Sequence, residues 1–252
     1  MCARWGSIVT GGPEPGTGQR GRDQARPPGV GVLAALEGAA LFLWNVIATP
    51  VVGERRRRWG TMGTEASDPL PGDGLIPDPK WSYTLGVSVD APPISVWPWI
   101  AQIGQGRGGF YTYQTLENMV GCRIVNTTEI LPDHQHPVVG DGIYLHHDAA
   151  PLAIEIVDPP TALVLFGSPA ETGSEEIRGE SIWQFVVKPH GGDGSRLLTR
   201  GQYDYAPNWR SRLVFGRFPM EGITFVMSRK MMLEIKRLAE RSSYSPHPRE
   251  FD

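Results

Sequence analysis

Cysteine is nearly missing from this sequence. Cys2 and Cys122 are the two in 252 residues, which excludes a disulfide framework and a zinc site built from thiolates. A strong charge of either sign is missing as well. With 24 Lys plus Arg against 27 Asp plus Glu the net charge is −3, so composition gives no reason to expect a nucleic-acid partner. No G-x-S-x-G occurs and Cys122 has no positional partner, so no nucleophile context is legible. What is present in quantity is apolar: hydrophobic residues make up 40% and charged residues 20%, enough for a packed core and too much for wholesale disorder.

The charge is unevenly placed. Residues 1–59 carry 8 basic and 4 acidic side chains, whereas residues 60–252 carry 16 and 23. A basic front on an acidic body marks a boundary. Residues 1–29 hold 7 Gly and 4 Pro without apolar periodicity and read as a disordered tail; Met62 offers a later start. Residues 30–52, VGVLAALEGAALFLWNVIATPVV, form a candidate transmembrane helix, long enough to cross a bilayer. Glu37 opposes insertion by about 2.5–3.5 kcal/mol, a penalty that Leu33, Leu36, Leu41, Phe42 and Leu43 can offset; the competing reading is an amphipathic helix packed on the body. Arg55 to Arg58 follow the run directly, which favours a cytoplasmic body behind a single span, with a soluble cytoplasmic protein as the alternative. Residues 53–80 read as a basic flank and an extended linker, since 61–79 holds four prolines and three glycines.

The body, residues 81–241, changes texture along its length. WSYTLGVSVD (81–90) alternates as a strand does, and ISVWPWIAQI (94–103) has helical spacing with Pro98 early in it. QGRGG (105–109) breaks that helix, and FYTYQTLENMVG (110–121) predicts a second short one closed by Gly121. Segments 140–147, 152–158, 161–167, 180–188 and 195–205 are short, alternating and joined by turn clusters, the signature of an antiparallel meander. Residues 220–241 place Met220, Ile223, Met227, Met231, Ile235 and Leu238 on one helical face, and 242–252 reads as a frayed tail. Strands segregated from helices give an α+β class. The economical packing is a curved antiparallel sheet of six or seven strands closed by the last helix, with a gap between them fit for a small molecule.

The run APPISVWPWIAQIGQGRGGFYTYQTLENMVGC (91–122), preceded by DPLPGD and followed by NTTEILPDHQ and VGDGIYL, resembles bacterial members of the START/SRPBCC superfamily. The C-terminal FVMSRKMMLEIKRLAE is similar to the end of such domains, and the resemblance covers residues 55–241. It implies a helix-grip fold like that of the birch-pollen allergen and of polyketide cyclase/dehydrase-like proteins, in a subgroup whose members often carry an N-terminal membrane helix. It does not imply one chemistry, because the superfamily includes lipid carriers, hormone receptors and cyclases.

Candidate site residues follow from pattern. Gly104-Gln105-Gly106-Arg107-Gly108-Gly109 matches the letters of G-x-G-x-x-G but follows a helix rather than a strand, so it predicts a turn; a pocket-rim role would let Arg107 meet an anionic group. Tyr113 and Glu117 are four apart and share a helical face, where a phenol and a carboxylate could exchange a proton, or simply sit in core and solvent; Tyr111 lies beside them. His134, His136, His146 and His147 suggest no metal site, because the adjacent pair points to opposite strand faces; His146 stays a candidate proton carrier. Trp183 shares a strand face with Phe185 and Val187. On the next strand Leu198, Arg200 and Gln202 share one face, and Thr199, Gly201 and Tyr203 the other; which one looks inward is open, and an inward Arg200 would need an acid or an anionic ligand. Met227 and Met231 offer an adaptable wall. The candidate ligand contacts are thus Arg107, Tyr111, Tyr113, Glu117, Trp183, Arg200, Met227 and Met231, and the candidate catalytic residues Tyr113, Glu117 and His146. The expected function is binding of a small hydrophobic or amphipathic molecule without a cofactor. The alternatives are a cyclase, dehydratase or isomerase acting on a polyketide-like or lipid-like substrate, and a stress or partner-binding module with a filled core.

Overall fold

The structure, a computed structural model, describes residues 49–113, 124–146, 150–168 and 177–243. The predicted tail 1–29, most of the apolar run 30–52 and the segment carrying Glu117 lie outside these residues. Among the described residues the α-helices and strands follow in the order α1 (Thr49–Arg57), β1 (Trp81–Val89), α2 (Pro93–Ala101), β2 (Gly142–Ile143), β3 (Leu152–Asp158), β4 (Ala162–Gly167), β5 (Gly179–Pro189), β6 (Ser195–Tyr205), α3 (Trp209–Phe215) and α4 (Arg217–Ser243). The six strands form one antiparallel sheet in the order β1-β6-β5-β4-β3-β2. The first strand thus pairs with the last, and the helices lie on one face of the sheet. This α+β arrangement is consistent with the helix-grip fold.

Local sequence accounts for most of these elements. Pro93 opens α2 at a position where no backbone donor is needed, and Pro98 is tolerated inside it. β3 pairs with β4 through a register shift between Ile154 and Ile156, a bulge that bends the far side of the sheet. The helix expected over 110–121 does not begin where its sequence suggested: Phe110 to Tyr113 are not helical, and Tyr111 has a φ of 58°. The strand expected over 140–147 contracts to Gly142–Ile143. One helix had no sequence signal assigned to it. α3 is capped by Asn208, whose side chain accepts from the Ser211 amide, and an extended Phe218 (φ −108°, ψ 120°) separates its end from the main run of α4.

The main core lies between the concave face and α4. Met231, Met232, Ile235, Leu238 and Ala239, from the C-terminal half of α4, are buried against β1 and α2. Each large apolar side chain of this kind contributes about 1.5–3 kcal/mol on burial. In its N-terminal half α4 is only half-buried and stands away from the sheet.

The segment expected to be an extended connector is instead a strap across the convex face. Its Leu70 packs with Val186 and Leu198, and its Ile76 with Val164 and Ile182. Asp73 accepts from the Leu70 amide, Gln184 Nε2, Gln202 Nε2 and Arg200 Nη1, at 2.6–2.9 Å. Glu65 pairs with Arg196 at 2.6 Å. The strap begins where β1 presents its free edge, since the Gly86 amide donates to the Trp59 carbonyl. Gly60, at φ 69°, is required there: a Cβ would stand 2.1 Å from the Gly86 carbonyl oxygen.

Candidate functional site

The gap between sheet and helix is real. A cavity of about 460 Å³ lies where the N-terminal half of α4 stands off from β1, β5 and β6. Its walls are mostly apolar: Phe110, Ile124, Leu145, Leu152 and Trp183 on one side, Met220, Ile223, Met227 and Met231 of α4 on the other, with Val214 and Phe215 of α3 beside them.

Six hydroxyl-bearing residues interrupt the apolar wall, and three of them, Tyr83, Tyr203 and Ser228, lie together. The Tyr83 hydroxyl lies 3.3 Å from Ser228 Oγ on α4, and the Tyr203 phenol lies beside it. The sheet register makes room for this cluster. Tyr83 on β1 is paired with Gly201 on β6, and a Cβ at Gly201 would be 2.4 Å from the Tyr83 ring. One strand pair further on, Trp81 stacks on Tyr203 with ring centroids 4.3 Å apart and 7° between planes, while Trp81 Nε1 donates to the Phe215 carbonyl. Burial pushes the Tyr83 phenol up to about 12, against weaker lowering by Ser228 and Tyr203. Tyr203 is also pushed well above the ordinary phenol range, by burial first and by its neighbour Tyr83 second. Both phenols therefore stay protonated at neutral pH. They can donate and accept hydrogen bonds but are poor proton acceptors.

Of the residues singled out in the sequence, Trp183, Met227 and Met231 line the cavity. Trp183 is fixed by its Nε1 donating to Thr199 Oγ1 and by rings of Phe110 and Phe185 at 6.1 and 4.8 Å. The others serve elsewhere. Arg200 lies on the convex face, where Thr84, Asp73 and the carbonyls of Glu65 and Ala66 take its guanidinium. Its acidic partner comes from the strap rather than from a ligand. Arg107 donates to the Ala101 and His134 carbonyls, so it ties down its own glycine-rich turn, closed by the Gly104–Gly109 bridge. Burial lowers its pKa, while the charge of Asp141 opposes that. Tyr111 is buried with its ring edge-on to Trp99 and its hydroxyl accepting from Gln102 Nε2; burial raises it well above the ordinary phenol range. Tyr113 and His146 are half-buried and are not among the described residues lining the cavity, and Glu117 lies outside the described residues. The expected pair Tyr113–Glu117 thus lies partly outside the described residues. Among the described residues no three His, Cys, Asp or Glu side chains gather as metal ligands.

Sequence reasoning missed Tyr83, Tyr203 and Ser228. Tyr203 had half a signal, since it shares a face with Thr199 and Gly201, but the period cannot say which face is concave. Tyr83 and Ser228 needed the β1–β6 register and the helix position.

No protein-family model matches the sequence, and no curated protein does. Solved structures similar to it include a hypothetical protein from Helicobacter pylori, at 11% identity over 71% of this chain and 99% of that one, with a TM-score of 0.45. A protein from Mesorhizobium loti is 14% identical over 64% of this chain and 98% of its own, with a TM-score of 0.38. A truncated norcoclaurine synthase from Thalictrum flavum is 16% identical over 63% and 92%, with a TM-score of 0.35. At these identities and scores the likeness assigns no activity, and the site is read from its own geometry.

Proposed function

We propose that the protein binds a small, largely hydrophobic molecule between the concave face and the N-terminal half of α4, with one polar group of that molecule at the Tyr83–Tyr203–Ser228 cluster. The observation that carries this is the cavity: about 460 Å³, apolar-walled and holding one cluster of hydroxyls. Pockets of roughly 300–1,000 Å³ with a few placed polar groups are the usual form of small-molecule sites. A module with a filled core would not carry such a gap. The resemblance of residues 55–241 to START/SRPBCC proteins supports the same reading. A cyclase, dehydratase or isomerase would need a base in the cavity at neutral pH, and the described residues that line it include no carboxylate or imidazole. Attachment to a membrane through residues 30–52, with a cytoplasmic body, belongs to this proposal as well. Full-length protein recovered in the supernatant of detergent-free lysate would overturn that part.

Native mass spectrometry of the full-length chain is the test of binding. A co-purifying molecule is expected, and Met227→Trp, which fills the cavity from α4, is expected to lose it. An absence of any adduct, together with equal uptake of an apolar fluorescent probe by the natural chain and Met227→Trp, would overturn the reading.

A further inference from the structure

One end of the molecule combines two features, one of which meets the cavity only at its edge. The first is an apolar ridge. Trp209, Leu213 and Val214 of α3 and Phe218 of the connection to α4 are 69%, 58%, 40% and 60% exposed. Four large apolar side chains within ten residues are far from the scattered exposure normal for a soluble surface. Trp209 and Leu213 are one helical turn apart and share a face. The second is a largely basic cleft of about 360 Å³ beside the ridge, lined by Glu54 and Arg57 of α1, by Arg58 just after it, by Lys80 before β1 and by Arg217. Trp81 connects the two: it lines the cleft, and its ring nitrogen donates to the Phe215 carbonyl at the end of α3.

Charge follows the same end. Residues 54–58 carry four arginines and one glutamate, and residues 209–218 carry Arg210, Arg212 and Arg217 with no acid. The body as a whole is acidic, so this is a local reversal. Each of the four cleft cations has an acidic partner: Glu54 and the buried Glu221 pair with Arg57, Arg58 and Arg217, and Asp204 with Lys80, which leaves four positive charges against three negative ones. Arg212 is exposed. The apolar run 30–52 ends in α1, so it enters the structure beside this cleft.

We propose that this end docks against an anionic phospholipid bilayer, with the 209–218 ridge in the interface and lipid headgroups at the basic cleft. Apolar side chains interleaved with arginines are what an interfacial segment presents: the rings and aliphatic groups enter the headgroup–acyl boundary while the guanidinium groups meet phosphate. The two attractions differ in kind: the ridge offers apolar burial and the cleft offers charge. Val214 and Phe215 also line the hydrophobic cavity, so docking sets its wall at the bilayer. That last consequence deepens the ligand-binding reading and rests on it; the docking itself does not.

The test places a nitroxide at Leu213→Cys in the full-length chain carrying Cys2→Ser and Cys122→Ser, with a second label at Asp193→Cys as the reference. Collision with oxygen and with a water-soluble nickel reagent is read in solution, on phosphatidylcholine vesicles and on vesicles containing phosphatidylglycerol. On anionic vesicles the label at 213 is expected to become shielded from nickel and exposed to oxygen, at a depth of about 5–10 Å. The label at 193 is expected to stay nickel-accessible. Adding Arg212→Ala is expected to lower the inserted fraction at limiting anionic lipid by about fivefold. A label at 213 that stays as nickel-accessible on anionic vesicles as in solution overturns the proposal, even if residues 30–52 hold the chain on the vesicle. So does a label already shielded in solution, which would mean that another protein segment covers the ridge. The measurement is indifferent to what the cavity holds, so its failure and that of the ligand-binding reading are distinguishable.

Discussion

The two faces of this one sheet are built on opposite plans. The concave face carries Leu85, Thr199, Phe185 and Trp183 under α4 and is left partly hollow. The convex face carries Arg196, Arg200, Gln184 and Gln202 and is covered by the strap through ion pairs and two small apolar clusters. Shape-tolerant apolar surface can leave a gap at modest cost, because each missing contact loses only a small dispersion energy. Buried charge cannot, because an arginine without its partner faces the full desolvation penalty. The comparison teaches that the convex side is held by charge pairs that tolerate no gap, while the concave side joins the main apolar core to room for a ligand.

Breaking the strap should therefore have the largest effect on stability and none on binding. Asp73→Ala leaves the nearly buried Arg200 without its carboxylate and is expected to cost about 3–5 kcal/mol in chemical denaturation. Uptake of an apolar probe at temperatures where the variant stays folded is expected to match the natural protein. A simultaneous Arg200→Met should recover much of the loss, since the charge left behind is its main cause. Next, Ile76→Ala removes the plug between Val164 and Ile182 and is expected to cost about 2–4 kcal/mol by the same measurement.

The Glu65–Arg196 pair sharpens the comparison through pH. Burial pushes Glu65 up, but hydrogen bonds from Arg196 and the Met62 amide, and the charge of Arg196, outweigh it and hold the carboxyl below its ordinary value. A depressed folded-state value means that the contribution is complete above the ordinary glutamate range and is lost as pH falls through the lowered value. Glu65→Gln is accordingly expected to cost about 1–3 kcal/mol near neutrality. The gap between it and the natural chain should close in denaturation series carried below about pH 4. A gap independent of pH would remove the pair from the strap's energetics.

The smallest effect on stability belongs to the concave side. Tyr83→Phe deletes one hydroxyl from a cluster that keeps Ser228 and Tyr203 and is expected to cost about 1 kcal/mol. Its effect on affinity for the co-purifying molecule should exceed its effect on stability. Equal affinity in the variant would place the ligand's polar group elsewhere.

Much of the frame was legible before any coordinates. Alternation located β3 and β6 to the residue, and the apolar spacing of 220–241 located the grip of α4. Both periods are imposed by burial of one face and need no partner to be seen. The strap was misread because proline and glycine mark irregular backbone whether it hangs in solvent or lies on a sheet. α3 went unseen because its seven residues are too short to show a period, and its apolar side chains point outward. The site divided the same way: Trp183 and the α4 methionines were found by periodicity, while the Tyr83–Ser228 contact spans 145 positions along the chain.

What the sequence by itself determined is therefore most of the strands and the apolar faces of α2 and α4. Those depend on propensity and on the regular recurrence of apolar residues along the chain. Only the tertiary structure decided which face of β6 is concave, which acid meets Arg200 and where the helix stands off to leave a cavity. These are decided by register and by contacts between residues more than a hundred positions apart, such as Arg200 and Asp73. No local pattern records such a contact, because its energy belongs to the pair and neither residue carries it alone.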